Sequence, residues 1–208
     1  MTNTLFAWTP TAGSLPVDNN GNKARLICTW RGRTMLAGLP NDPFNWFGSR
    51  VKDPFNWNYA EAFGAVADPL TAVSGQESRA GKVPDTVTTM IDYNDDVLIF
   101  GCDHTIWQLK GDPYDGGRMY QLSNSIGMAW GMPWCRDPVN TIYFMSNLGG
   151  IYALVPDQKP LRISQQIEQL LEPVNLDKVI VRMEWDDVAQ GLHVYLTHFA
   201  AAQPESRG

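Results

Sequence analysis

The feature that most constrains this chain is an internal repeat of a two-strand unit. DDVLIFGCDHTIWQLKGDP (residues 95–113) and NTIYFMSNLGGIYALVPD (residues 140–157) superimpose without gaps at an offset of 45 residues. The superposition sets Val97 on Ile142, Leu98 on Tyr143, Phe100 on Met145, Gly101 on Ser146, Ile106 on Ile151, Trp107 on Tyr152 and Leu109 on Leu154. In each copy an apolar run leads into a polar turn (102–105 or 147–150) and then an Ile-aromatic-x-Leu run, the pattern of two strands joined by a hairpin. Looser copies flank the pair: RLICTWRGRTMLAG (25–38), turning around Arg31 and Arg33, and VIVRMEWDDVAQGLHVYLTHF (179–199), turning at 186–191. Residues 86–93, where Val87, Thr89 and Ile91 alternate with Thr88, Met90 and Asp92, supply a further incoming strand. A sheet-forming unit that recurs at roughly 40–50 residues is the signature of a propeller blade or a related β array. The expected fold is therefore all-β, a propeller-like array of antiparallel sheet units with three to four blades, which need not be complete.

One short helix is expected in SQQIEQLLEPVN, with Ser164 as N-cap, Ile167, Leu170 and Leu171 on one face, Glu168 in the early turns and Pro173 as the stop. Residues 39–85 read as an insertion within a single domain, 1–208. They contain DPFNW twice, from Asp42 to Trp46 and from Asp53 to Trp57, at an offset of 11. Pro fixes φ and Asn and Asp side chains bond the following backbone, so two tandem aromatic turns are expected, followed by an irregular stretch, 60–84, whose SGQESRAGK suggests an exposed loop.

Composition narrows the function classes. With 44% hydrophobic residues and a net charge of −6, the chain lies outside the disordered regime. Its longest apolar run, 97–102, is far short of the roughly 20 residues a membrane helix needs. The N-terminal MTNTLFAWTPTAG lacks the basic and apolar regions of a secretory signal. Cys28, Cys102 and Cys135 are widely spaced and read as three reduced core thiols. Charged residues make up only 18%, where about 25% is usual, a shortage that points to surface covered by other subunits or by a further part of the same chain.

Candidate chemistry is sparse. The carboxylates cluster as Asp92, Asp95 and Asp96, then Asp112 and Asp115, then Glu184, Asp186 and Asp187. They fall where turns are expected, so turn formation is favoured over metal binding or acid–base catalysis. His193 and His198 are five apart, which sends them to opposite faces of a strand. No nucleophile elbow, Walker loop or dinucleotide fingerprint occurs, and no catalytic residue, metal site or cofactor is expected. Arg25, Arg31 and Arg33 near Trp30 form the only local basic cluster in an acidic chain, so specific nucleic-acid binding by a basic patch is not expected, and an acidic wall would let DNA pass close by without being bound. The aromatics Phe44, Trp46, Phe55, Trp57, Trp130 and Trp134 lie in Pro- or Gly-bearing segments. The first four and fifth-to-sixth pair suit local packing or a docking surface for a neighbouring subunit, and Phe44, Trp46, Phe55 and Trp57 are the expected interface residues.

At these residues the sequence resembles a known family. RLICTWRGRTMLAGLPNDPFNWFGSRVKDPFNW resembles the strand, R-x-R, strand, G-x-P-x-x-P-x-x-W, S-x-x-x-D-P-x-x-W stretch of β-propeller proteins from the tails of short-tailed bacteriophages. IWQLKGDP, then Leu122 to Gly127, then NTIYFMSNLGGIYAL, then Arg162-Ile163-Ser164 with the turn 167–171, follow in the same order, so the resemblance spans roughly residues 25–197. It implies a tail nozzle or packaged-DNA stabilisation protein: a non-enzymatic homo-oligomeric ring, often sixfold, that contacts the portal or adaptor, lines the DNA channel and retains packaged DNA until ejection. The implied location is the virion tail, after synthesis in the host cytoplasm, without membrane association. Such relatives run to several hundred residues, so this shorter chain is expected to hold part of such an architecture or a reduced version of it. The alternatives are a carbohydrate-binding or carbohydrate-acting propeller, which also uses Trp platforms and Asp but carries an Asp-box that is not evident here, and an intracellular scaffold propeller.

Overall fold

Short apolar runs closed by tight turns leave each strand's neighbour in sequence as its nearest pairing partner, and the chain folds accordingly into small consecutive sheets. The computed structural model describes residues 10, 12–17, 20–59, 68–171 and 174–198. After β1 (Ala12–Gly13), the first sheet is formed by β2 (Leu26–Trp30), β3 (Arg33–Leu39) and β4 (Asp42–Gly48). The two-residue β5 (Asn56–Trp57) pairs in parallel with β1, and β6 (Val73–Ser74) completes the first sheet beside β4. The second sheet runs in chain order through β7 (Val87–Asn94), β8 (Val97–Cys102), β9 (Ile106–Lys110) and β10 (Arg118–Ser123). After β11 (Gly131–Met132), the third repeats that order with β12 (Trp134–Arg136), β13 (Ile142–Met145), β14 (Ile151–Leu154) and β15 (Leu161–Arg162). The fourth pairs β16 (Val179–Asp186) with β17 (Gly191–His198), and β11 joins the far side of β16 in parallel. Together these sheets form a four-bladed β-propeller.

The core lies between successive sheets. Trp30, Met35, Ala37 and Trp46 of the first meet Leu98, Phe100 and Leu109 of the second. Ile91, Val97, Ile99 and Ile106 meet Ile142, Phe144 and Leu154 of the third, and Met145 and Ile151 meet Val179, Val181 and Met183 of the fourth. Each such side chain contributes about 1.5–3 kcal/mol on burial. Strand β8 is buried on both faces, which its unbroken apolar run Val97-Leu98-Ile99-Phe100 permits. Strand β16 instead alternates, with Val179, Val181 and Met183 inward and Ile180, Arg182 and Glu184 outward.

Polar clamps tie adjacent blades. The hairpin between β2 and β3 turns on Arg31 and Gly32, both at positive φ (50° and 70°). From it Trp30 Nε1 donates to the Asn94 carbonyl (2.8 Å) and Arg31 to that of Asp95 (2.7 Å), so one blade's turn holds the next blade's turn. Arg136 of the third blade donates to the Asp92 carbonyl at 2.6 Å and lies over the Tyr93 ring. Gln108 and Lys110 both reach the Asp157 carboxylate, at 2.5 and 2.8 Å.

The gapless repeat holds for only half of the hairpin. Ile106, Trp107 and Leu109 occupy the places of Ile151, Tyr152 and Leu154, facing the following and preceding blades alike. In the preceding strand, however, Leu98 and Phe100 face the earlier blade as Ile142 and Phe144 do, so the structural offset there is one residue smaller than the sequence superposition sets. The turn of the third blade is one residue longer, and Gly149 and Gly150 absorb the addition at φ of 82° and 89°. A one-residue slip exchanges the two faces of a strand, and β8 and β13 tolerate it in sequence because both of their faces are apolar.

Two further expectations are corrected. Residues 39–85 are not wholly an insertion, because they supply the third and fourth strands of the first blade, β4 and β6. The helix is shorter and less buried than its pattern suggests: a 3-10 turn (Gln165–Ile167) leads into α1 (Glu168–Leu171), with Leu170 73% exposed. Ser164 stands at the N-cap position, where its carbonyl accepts from the Ile167 N–H at 3.1 Å, but its buried hydroxyl makes no capping bond and accepts instead from the Ile151 N–H at 2.9 Å, holding β14. Pro173 lies outside the described residues.

Candidate functional site

The duplicated DPFNW motif builds the most distinctive surface. In its first copy the motif is strand β4, whose pairing with β3 is irregular between Asp42 and Trp46; across that irregularity Phe44 is left 43% exposed while Trp46 is wholly buried. The Trp46 ring lies 6.2 Å from that of Phe100 in the next blade, and its Nε1 donates to the Gly81 carbonyl at 3.1 Å. Asp42 accepts from Asn45 (2.9 Å) and pairs with Lys82 (2.8 Å), while the Val83 N–H donates to the Phe44 carbonyl (2.9 Å). The segment after β6 is thus laid along β4. It must approach closely at Gly75, where a Cβ would stand 2.8 Å from Trp46 Nε1.

The second copy is a turn that ends in β5. Asp53 accepts from the Phe55 N–H and Asn56 from the Asn58 N–H, each at 3.1 Å, as the Asx chemistry of the motif anticipates. Trp57 is 1% exposed and its Nε1 donates to the Pro54 carbonyl at 3.0 Å, whereas Phe55 is 44% exposed. Both copies therefore bury the indole and present the phenyl ring. Of the four expected interface residues, Phe44 and Phe55 are at the surface. Trp46 and Trp57 are corrected to core, because each indole needs an apolar slot and a carbonyl acceptor, which these interiors supply.

Arg33 ties the segment between the copies to residues 69–71 beyond the second copy, a role that the basic-cluster reading missed. It is fully buried, and its guanidinium donates to the carbonyls of Ser49 (2.8 Å), Thr71 (2.5 Å) and Pro69 (2.8 Å). Burial pulls its pKa below the ordinary arginine value, with Asp112 opposing that pull. The only sequence signal for this was a basic residue placed in register with core positions Met35 and Ala37.

Elsewhere the carboxylates organise turns. Asp137 accepts from the N–H groups of Val139 (3.0 Å) and Thr141 (2.7 Å), and Asp112 from that of Tyr114 (2.9 Å). Asp186 accepts from Val188 (2.8 Å) and Ala189 (3.0 Å) and lies 3.1 Å from His193; the Ala189 bond, then His193, holds its carboxyl below the usual range. His193 pairs across from Glu184 and His198 from Val179, on opposite faces of the sheet. Among the described residues no group of three or more His, Cys, Asp or Glu is placed to hold a metal ion. Burial pushes the Cys28 thiol up to about 12 and the Cys135 thiol up to about 11.

A second aromatic feature lies between the third and fourth blades. A cleft of about 550 Å³ is lined by Met132, Trp134, Arg136, Glu184, Trp185 and Asp187, among others. Tyr143 stacks on Trp185 at 5.5 Å, and Arg136 lies over Trp134 at 5.9 Å. Trp134 thus belongs to β12 and is half-buried, while Trp130 remains 45% exposed.

The fold and these surfaces define the class: a small four-bladed β-propeller whose aromatic motif is divided between core and surface. No family model and no curated protein matches the chain.

Proposed function

We propose that this chain is a non-enzymatic structural subunit of a short-tailed bacteriophage tail, of the nozzle or packaged-DNA stabilisation type. It assembles with copies of itself into a ring below the portal and adaptor, borders the DNA path and helps to retain packaged DNA until ejection. The observation that carries this reading is the propeller fold, which the resemblance implies. The segments that bear the resemblance are pieces of successive blades: β2 to β5, β9, the end of β10 with the turn to Gly127, β13 with β14, and β15 with α1. Exposed Phe44 and Phe55 suit a subunit contact, and a net charge of −6 suits a wall that DNA passes without adhering. Native mass spectrometry and electron microscopy of the purified protein with a tail adaptor test the proposal. A closed ring that binds the adaptor is expected; a protein that neither forms a ring nor binds tail components overturns it.

The cleft between the third and fourth blades favours one alternative, carbohydrate binding. Trp134, Trp185 and Arg136 offer flat faces and Glu184 and Asp187 offer acceptors, the combination that holds a sugar ring. A glycan array separates the two readings, because a tail ring subunit is expected to bind none of its sugars.

A further inference from the structure

The outer edges of the four blades are not alike. In the first and third blades the last strand, β6 or β15, has two residues, and in the second β10 begins at Arg118 and carries a bulge between Gln121 and Ser123. Short, charged and bulged edges are the usual devices that keep a sheet from pairing with another chain. The fourth blade has none of them. Among the described residues β17 is its terminal strand, eight residues long, paired with β16 in continuous register from Asp186↔Gly191 to Val179↔His198. Its sequence, GLHVYLTH, contains no Lys, Arg, Asp, Glu or Pro. Tyr195 is 50% and Leu196 37% exposed. Among the described residues no strand pairs with β17 on its other side, whereas each of the three sister sheets has four strands.

The edge is self-complementary. Leu192-His193-Val194-Tyr195-Leu196 reads as apolar, aromatic, apolar, aromatic, apolar from either end, centred on Val194. Leu192 and Val194 pack towards the third blade, while His193 and Tyr195 stack on the opposite face with ring centroids 6.3 Å apart. Antiparallel pairing of two such strands about a two-fold axis through Val194 sets Val194 opposite Val194, Leu192 opposite Leu196, and His193 opposite Tyr195. Every pair keeps like with like on its own face, and aromatic and β-branched cross-strand pairs of this kind are favourable.

We propose that β17 is a homodimerisation edge, at which a second copy of this chain adds its own β17 antiparallel, in register about Val194. This inference does not rest on the ring reading. A cyclic ring has no two-fold axis between neighbours, so the edge contact would join separate rings or the free subunits.

The test uses the full chain in a Cys28→Ser background. Sedimentation velocity is expected to show a dimer, lost in Tyr195→Lys, which charges the edge from an exposed position; circular dichroism confirms that the variant keeps its sheet. A short bifunctional thiol reagent is expected to cross-link Val194→Cys to itself. It is expected to cross-link a mixture of Leu192→Cys and Leu196→Cys, but neither of these alone. A protein monomeric at every concentration overturns the proposal, as does a dimer that keeps its mass in Tyr195→Lys or cross-links in another register. A closed ring without the Val194 cross-link overturns the edge while leaving the ring reading standing.

Discussion

Replacing Trp46 by Ala tests the division of the DPFNW motif most directly. Trp46 is fully buried, so truncation removes its contact with Phe100 and opens a cavity between the first two blades, a change that costs about 3–5 kcal/mol for a buried Trp. It also leaves the Gly81 carbonyl without the indole donor at 3.1 Å, adding about 1 kcal/mol or more. Set against a typical total of about 5–15 kcal/mol, the variant should be barely folded. With a slope of about 2 kcal/mol per molar urea, its midpoint should fall by about 2–3 M. Phe44→Ala, two residues away and 43% exposed, should stay within about 0.5 kcal/mol of the parent. Urea titrations followed by tryptophan fluorescence and far-ultraviolet circular dichroism read both. Equal midpoints for Trp46→Ala and the parent would refute the core assignment. A large loss in Phe44→Ala would refute the surface assignment of its partner.

Arg33→Met should destabilise by about 3 kcal/mol or more, since three carbonyls lose their donor, and should expose residues 69–71 to limited proteolysis; an unchanged digest would remove the anchoring role. The native thiols should resist a maleimide at pH 7.5, because burial raises Cys28 to about 12 and Cys135 to about 11, and all three should react once urea unfolds the chain. Asp157 is held below the usual carboxylate range, first by Lys110 and then by Gln108. Its stabilisation is therefore complete above the ordinary aspartate value of about 3.9 and is lost as pH falls through the lower folded value. Asp157→Asn should flatten that acid limb in a pH series of thermal melts, and an unchanged limb would count against the clamp.

The all-β class, the repeating hairpin and the Asx turns were legible in the sequence because each depends on contacts within a few residues. Val97 to Phe100 is a short apolar run closed by a turn and suits a buried strand, Asp112 and Asn56 bond backbone two residues on, and the five-residue spacing of His193 and His198 separates them by strand parity alone. The division of DPFNW was not legible, because identical pentapeptides meet different partners. Trp46 is buried by Phe100 of the next blade, and Trp57 closes against its own turn at the Pro54 carbonyl. The same holds for Arg33, whose three carbonyl acceptors arrive from residues 16 to 38 positions away. It holds too for the hairpin phase, where two apolar faces hide a one-residue slip that only packing between blades resolves. Local periodicity is written in the chain because it reflects backbone geometry, whereas the neighbour that each face meets is decided only when the sheets stack.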